Sequence, residues 1–155
     1  GTDFLESGAD RGINLGKFIH EVLQSMDTED DLSRAVDRVF REGKLNSRET
    51  GEIRNEILAF LSSEPVKDWF SGDWKVLKER DIITATGQLR RPDRVMMKSS
   101  QVIVIDYKTG MAKRKEHETQ MREYIDLVKE MGCQDVTGWL CYVRLKENIQ
   151  IQAGE

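Results

Sequence analysis

Residues 91–110 read RPDRVMMKSSQVIVIDYKTG. Short apolar runs, VMM and VIVI, flank Ser99-Ser100, and this predicts a β-hairpin closed by a tight turn. Asp93, Asp106 and Lys108 break the apolar pattern. A two-residue turn at Ser99-Ser100 pairs Lys98 with Gln101 and, five steps further out, Asp93 with Asp106. A four-residue loop over 98–101 keeps that pairing, and a three-residue loop breaks it. Directly opposed residues share a sheet face with Cβ atoms ~4.5–5.5 Å apart. Lys108, two residues beyond Asp106, points to the same face.

The preceding segment adds a fourth group. WKVLKERDII, GQLRRPDRVMM and QVIVIDYK read as three strands joined by ATG and SS turns. If Ala85-Thr86-Gly87 is a three-residue loop with Gly87 left-handed, Thr84 opposes Gln88 and Glu79 opposes Asp93. A two- or four-residue loop turns Glu79 away. Three carboxylates on one face repel one another, and a buried unpaired charge is costly. A divalent cation would relieve this, since Mg²⁺ takes oxygen ligands at ~2.0–2.1 Å and keeps several waters. The competing reading is a salt-bridge cluster in which Lys108, helped by Arg91 and Arg94, neutralises the acids.

Around the hairpin the chain predicts one α/β domain over 1–155, with a helical part at about 12–70 and a sheet core at about 74–152. Leu15, Phe18, Ile19, Val22, Leu23 and Met26 recur at helical spacing. Thr28, with Asp31 three residues on, reads as a cap, and Gly43 closes the stripe Leu32, Val36, Val39 and Phe40. Ser47 can cap a third helix carrying Ile53, Ile57, Phe60 and Leu61. Pro65 suits the first turn of a short helix ending near Trp69 and Phe70. A helix from about Glu116 to Met131 then leads to a strand, VTGWLCYVRL, and a short strand over 149–152. The expected sheet is mixed, with antiparallel hairpins and a helical crossover into the last long strand.

Composition narrows the function classes. The chain has 155 residues, 34% charged and 38% apolar. No apolar run approaches the ~18 residues of a membrane helix, and no signal peptide is visible. The opening Gly1 reads as a cut end of a longer protein. A net charge of −4 is unlike a simple nucleic-acid coat protein. Local basic patches remain, Arg90-Arg91 with Arg94 and Lys113-Arg114-Lys115, each readable as a solvated face. Cys133 and Cys141 fit neither a disulfide scaffold nor a zinc site, and read as reduced thiols of a cytoplasmic protein.

The spacing Asp93, twelve residues, then Asp106-Tyr107-Lys108 matches the PD-(D/E)xK nuclease pattern. With RPDRV on one strand, VIVIDYKTG on the next, HETQMREY on a helix and GKFIHEVLQ upstream, the chain resembles the RecB-like nuclease domain. That domain stands at the C-terminus of UvrD/Rep-type helicase–nucleases such as RecB and AddA. The resemblance runs from about Gly12 to Arg144. It implies a restriction-endonuclease-like core, a mixed β-sheet flanked by helices, and DNA cleavage with Mg²⁺ or Mn²⁺. By the same resemblance Asp93, Asp106 and the Tyr107 carbonyl would ligate the metal, Lys108 would activate or position water, and His20 would be a helix-borne ligand. Glu79 matches an acidic position, and Gln120 and Tyr124 match a Gln-x-x-x-Tyr motif bounding the substrate groove. In this context Arg91, Arg94, Lys113 and Arg114 are candidate contacts to the nucleic-acid backbone.

Each has a plain alternative. His20 flanks an apolar stripe, where a histidine is commonly structural. Gln120 can be a surface residue and Tyr124 a core aromatic. His117 lies near the site and receives no role. Trp69, Trp74 and Trp139 read as core. The chain carries no Gly-Lys-Ser/Thr phosphate loop and so no ATPase motor of its own; the resemblance implies a covalently linked helicase motor upstream, and a partner subunit beside it. The four cysteines of an iron–sulfur cluster are absent. Three functions stay open: a nuclease domain of an ATP-dependent exonuclease or helicase, a non-cleaving DNA- or subunit-binding module, and a free-standing nuclease.

Overall fold

The computed structural model describes residues 15–43, 45–77, 82–83, 87 and 89–153. By their internal contacts these fall into two compact units, 1–71 and 72–155.

The first unit is helical. Helix α1 covers 15–24, and Ile19, Val22, Leu23 and Met26 of its predicted stripe are buried. A 3-10 turn, Glu29–Asp31, leads into α2, Leu32–Arg41. The Asp31 carboxylate accepts the N–H groups of Asp27 at 2.8 Å and Thr28 at 3.1 Å. Helix α3, Ser47–Leu61, buries Ile53, Ile57, Phe60 and Leu61. Its cap is Asn46, not Ser47. Asn46 Oδ1 accepts the Glu49 N–H at 2.8 Å, and Glu49 Oε1 accepts the Asn46 N–H at 3.0 Å. The reciprocal pair decides the boundary, because it satisfies two otherwise orphaned donors. Helix α4, Val66–Trp69, follows Pro65 and buries both of its end residues.

Among its described residues the second unit is a mixed sheet with one α-helix. Its strands are β1 Lys75–Leu77, β2 Ile82–Ile83, β3 Leu89–Arg90, β4 Arg94–Lys98, β5 Gln101–Lys108, β6 Asp135–Tyr142 and β7 Glu147–Ile151. Five of them form a sheet in the order β1-β4-β5-β6-β7, and β2 and β3 pair apart. Among the described strands only β5 and β6 run parallel, joined through helix α5, Lys115–Glu130. A parallel pair needs such a crossover.

Lys98 pairs with Gln101 and Arg94 with Ile105, as the two-residue turn requires. Ser99 takes φ 55°, the left-handed conformation of tight hairpin turns. The upstream register also follows expectation where it is described: Lys75 faces Met97, Leu77 faces Val95 and Ile82 faces Arg90. Gly87 has φ 80°.

Two strands are shorter than expected. The run GQLRRPDRVMM is interrupted over 91–93 between β3 and β4, where Pro92 has no N–H to give a ladder. VTGWLCYVRL leaves the sheet after Tyr142, turns through a 3-10 segment Val143–Leu145, and reverses at Lys146, φ 58°. Beta propensity in Val143 and Leu145 yields there to the turn that lays β7 beside β6.

Helix α5 packs Met121, Tyr124, Ile125 and Val128 against Val95, Val102, Val104, Val136 and Leu140. Gly138 on β6 permits the approach. A Cβ there would lie 2.6 Å from Met121 Sδ and 2.8 Å from Ile125 Cδ1. The helix is thereby seated on the sheet face to which Val104, Asp106 and Lys108 point.

Candidate active site

Asp93 sits at the break before β4, one step past the Arg94–Ile105 pair, so it stands opposite Asp106. The two residues hold each other through the backbone. Asp106 Oδ1 accepts the Asp93 N–H at 3.1 Å, and Asp93 Oδ2 accepts the Tyr107 N–H at 2.8 Å. Side chains thus continue the ladder that Pro92 interrupts.

Asp106 is only 5% exposed, and Asp93 is half-buried. Burial, and next the Asp93 charge, push the Asp106 carboxyl up to about 6. Lys108 opposes that shift without cancelling it. Its Nζ lies 3.5 Å from Asp106 Oδ2 and 3.5 Å from Gln120 Oε1. Gln120 Nε2 in turn donates to Tyr124 Oη at 3.2 Å. Burial, then Asp106, push the Tyr124 phenol up to about 12. The chain Asp106–Lys108–Gln120–Tyr124 ties the end of β5 to one face of α5.

The raised Asp106 carboxyl reflects first its burial and then the Asp93 charge, and one lysine does not offset the two. Two acid groups on opposed residues, with the Tyr107 carbonyl between Asp106 and Lys108 in sequence, are the oxygen donors that Mg²⁺ or Mn²⁺ prefers, so these residues fit a divalent ion. Among the described residues no group of three or more His, Cys, Asp or Glu gathers at one point. Glu79 lies outside the described residues. His20 is half-buried on α1, in the helical unit.

The basic residues separate. Arg91 and Arg114 are exposed. Lys113 is exposed and paired with Glu147 at 2.7 Å. Arg94 is 4% exposed, with Nε 3.4 Å from Met96 Sδ and its charge acting on the buried Tyr107 phenol. It is turned inward, away from the role of an exposed phosphate contact.

One group escaped the sequence reading. An open cleft of about 440 Å³ is lined by Arg90, Lys115, Glu116, His117, Thr119 and Gln120. His117 Nδ1 lies 2.9 Å from Tyr142 Oη. Burial, then Lys108 and Arg114, lower the imidazole pKa. The available signal was spacing: His117, Gln120 and Tyr124 stand at i, i+3 and i+7.

The family model of the PD-(D/E)XK nuclease superfamily matches residues 2–155. The chain belongs to that superfamily, and its five-stranded mixed sheet with flanking helices is consistent with a restriction-endonuclease-like fold. A search among curated proteins returns no significant match.

Proposed function

We propose that this member of the nuclease superfamily is a Mg²⁺- or Mn²⁺-dependent deoxyribonuclease that hydrolyses phosphodiester bonds at the Asp93–Asp106–Lys108 face. The observation that carries the reading is Asp106 itself. It is a buried carboxylate facing a second one, with a single lysine beside it.

In this reading Asp93, Asp106 and the Tyr107 carbonyl hold the ion, with His20 and Glu79 as further ligands. When bound, the ion lowers the pKa of a coordinated water and offsets charge on the phosphate. Lys108 donates from Nζ to the water or to a phosphoryl oxygen, where negative charge develops. Gln120 keeps that ammonium oriented, and Tyr124 keeps the amide oriented. Arg91, Lys113 and Arg114 meet the nucleic-acid backbone.

The resemblance to RecB and AddA supports a wider context. The helical and sheet units act as one nuclease domain, an exonuclease at the C-terminal end of an ATP-dependent helicase in recombinational repair. A linked motor, and a partner subunit, would lie outside this chain. The setting is the cytoplasm, where Cys133 and Cys141 stay as thiols; neither forms a disulfide. No helix among the described residues is long and apolar enough to cross a membrane.

The test is cleavage of linear single- and double-stranded DNA with Mg²⁺, Mn²⁺ or EDTA. Wild type is expected to cut only with metal, and Lys108→Ala to lose about a hundredfold or more in rate. DNA binding without cleavage under either metal would favour a non-cleaving module instead.

A further inference from the structure

The cleft beside Gln120 is built from groups that the reaction at Asp106 does not use. Arg90 comes from β3, and Lys115, His117 and Thr119 come from the start of α5. Gln120 belongs to both places: it lines the cleft and accepts from Lys108. Gln120 therefore links the cleft to the lysine, one helical turn away from Tyr124 along the stripe His117, Gln120, Tyr124.

Its chemistry is that of an oxyanion receptor. Arg90 and Lys115 supply positive charge, and Thr119 a hydroxyl. Glu116 also lines the cleft and offsets one of the two cations. The imidazole is oriented from behind. Tyr142 Oη stands 2.9 Å from His117 Nδ1. Where the hydroxyl gives its proton to Nδ1, the neutral ring carries its own on Nε2 and can donate there. Tyr142 is 1% exposed, so the partner that holds the ring is fixed in the core.

We propose that this cleft binds a backbone phosphate of the DNA strand next to the phosphate that is cut, with Arg90, Lys115 and His117 as its donors. The inference rests on the nuclease reading and deepens it. It gives the site a second grip on the same strand, which sets the register of the scissile bond against Lys108 without touching the bond itself. His117 and Tyr142 are thus a positioning pair.

The experiment compares wild type with Lys115→Glu, His117→Gln and Tyr142→Phe in two assays. One is anisotropy of a labelled single-stranded oligonucleotide in EDTA, where no cutting occurs. The other is steady-state cleavage with Mg²⁺. Lys115 is exposed, so its variant keeps the test valid should a change at His117 or Tyr142 disturb folding. Expected are a roughly five- to tenfold higher Kd and KM for Lys115→Glu and His117→Gln, kcat within about twofold, and a salt slope reduced by about one for Lys115→Glu. Tyr142→Phe should raise KM alone and add nothing to His117→Gln. Wild type that binds DNA while all three variants match it overturns the phosphate cleft alone. Wild type that neither binds nor cuts overturns both the cleft and the nuclease reading.

Discussion

Asp93 and Asp106 are joined by two crossed hydrogen bonds, from the Asp93 N–H to Asp106 Oδ1 and from the Tyr107 N–H to Asp93 Oδ2. Each carboxylate is held by the strand that bears the other. Neither can turn without breaking a bond to that strand. Two like charges are thus kept together on purpose-built supports, and the consequences can be measured.

The first concerns pH. The Asp106 carboxyl is raised from its ordinary 3.8 to about 6. The native state therefore binds this proton more tightly than the unfolded chain. Its contribution makes metal-free protein lose stability as pH rises from about 4 to about 6, and the full penalty persists above that. Asp106→Asn removes the charge and keeps the Oδ1 acceptor. It is expected to stabilise the metal-free protein at pH 7 by at most about 3 kcal/mol, with little gain near pH 4. Denaturation curves in EDTA, read as the difference between the two proteins, cancel the opposing titration of His117. Equal stability at pH 7 would reject the buried-charge account.

Metal should close most of that gap. Wild type titrated with Mg²⁺ to about 100 times its Kd is expected to gain about 2.7 kcal/mol. Asp106→Asn should gain almost nothing and should not cut DNA. Thermal melts with and without Mg²⁺ decide this, and equal shifts in both proteins would place the ion elsewhere.

Gln120→Leu removes the oxygen 3.5 Å from Lys108 Nζ and the amide that meets Tyr124. The ammonium then has Asp106 as its near partner. Cleavage is expected to fall about tenfold in kcat, an effect of roughly 1.4 kcal/mol on the barrier. Calorimetric Mg²⁺ binding should hardly change. A kcat equal to wild type would remove Gln120 from the support of Lys108.

Gly138→Val tests the seat of α5. A side chain there meets Met121 and Ile125 inside contact distance. Overpacking of this kind usually destabilises by about 1–3 kcal/mol. Chemical denaturation should show that loss, together with reduced cleavage. As a contrast, Asn46→Ala should lose about 1 kcal/mol of stability from the α3 cap without altering metal-dependent cutting.

The centre of the site was legible in sequence because β geometry counts residues. A tight turn at Ser99-Ser100 and an apolar face beside it fix the register, and the register fixes which residues oppose. The same count gave the β1–β4 pairing. Charge was harder to read. Arg94 looked like its neighbours Arg90 and Arg91, yet it is buried, because the strand alternation that turns Asp93 to one face turns Arg94 to the other. The cap at Asn46 was missed in favour of Ser47, both good capping residues, and only the bond to Glu49 separates them. His117 shared the spacing of Gln120 and Tyr124. Its partner Tyr142 lies on β6, after the whole crossover, and local spacing does not reach that far.

Gly138 also bears on how such an enzyme can change over generations. The missing side chain acts as a detent, and Met121 is the pin that drops into it. The detent stops α5 from sliding along the sheet, and so sets the phase of Gln120 relative to Lys108 from the greasy underside of the helix. Tuning of the enzyme is therefore open to lineages through paired replacements at 138 and 121, with every polar residue of the cleft left as it is.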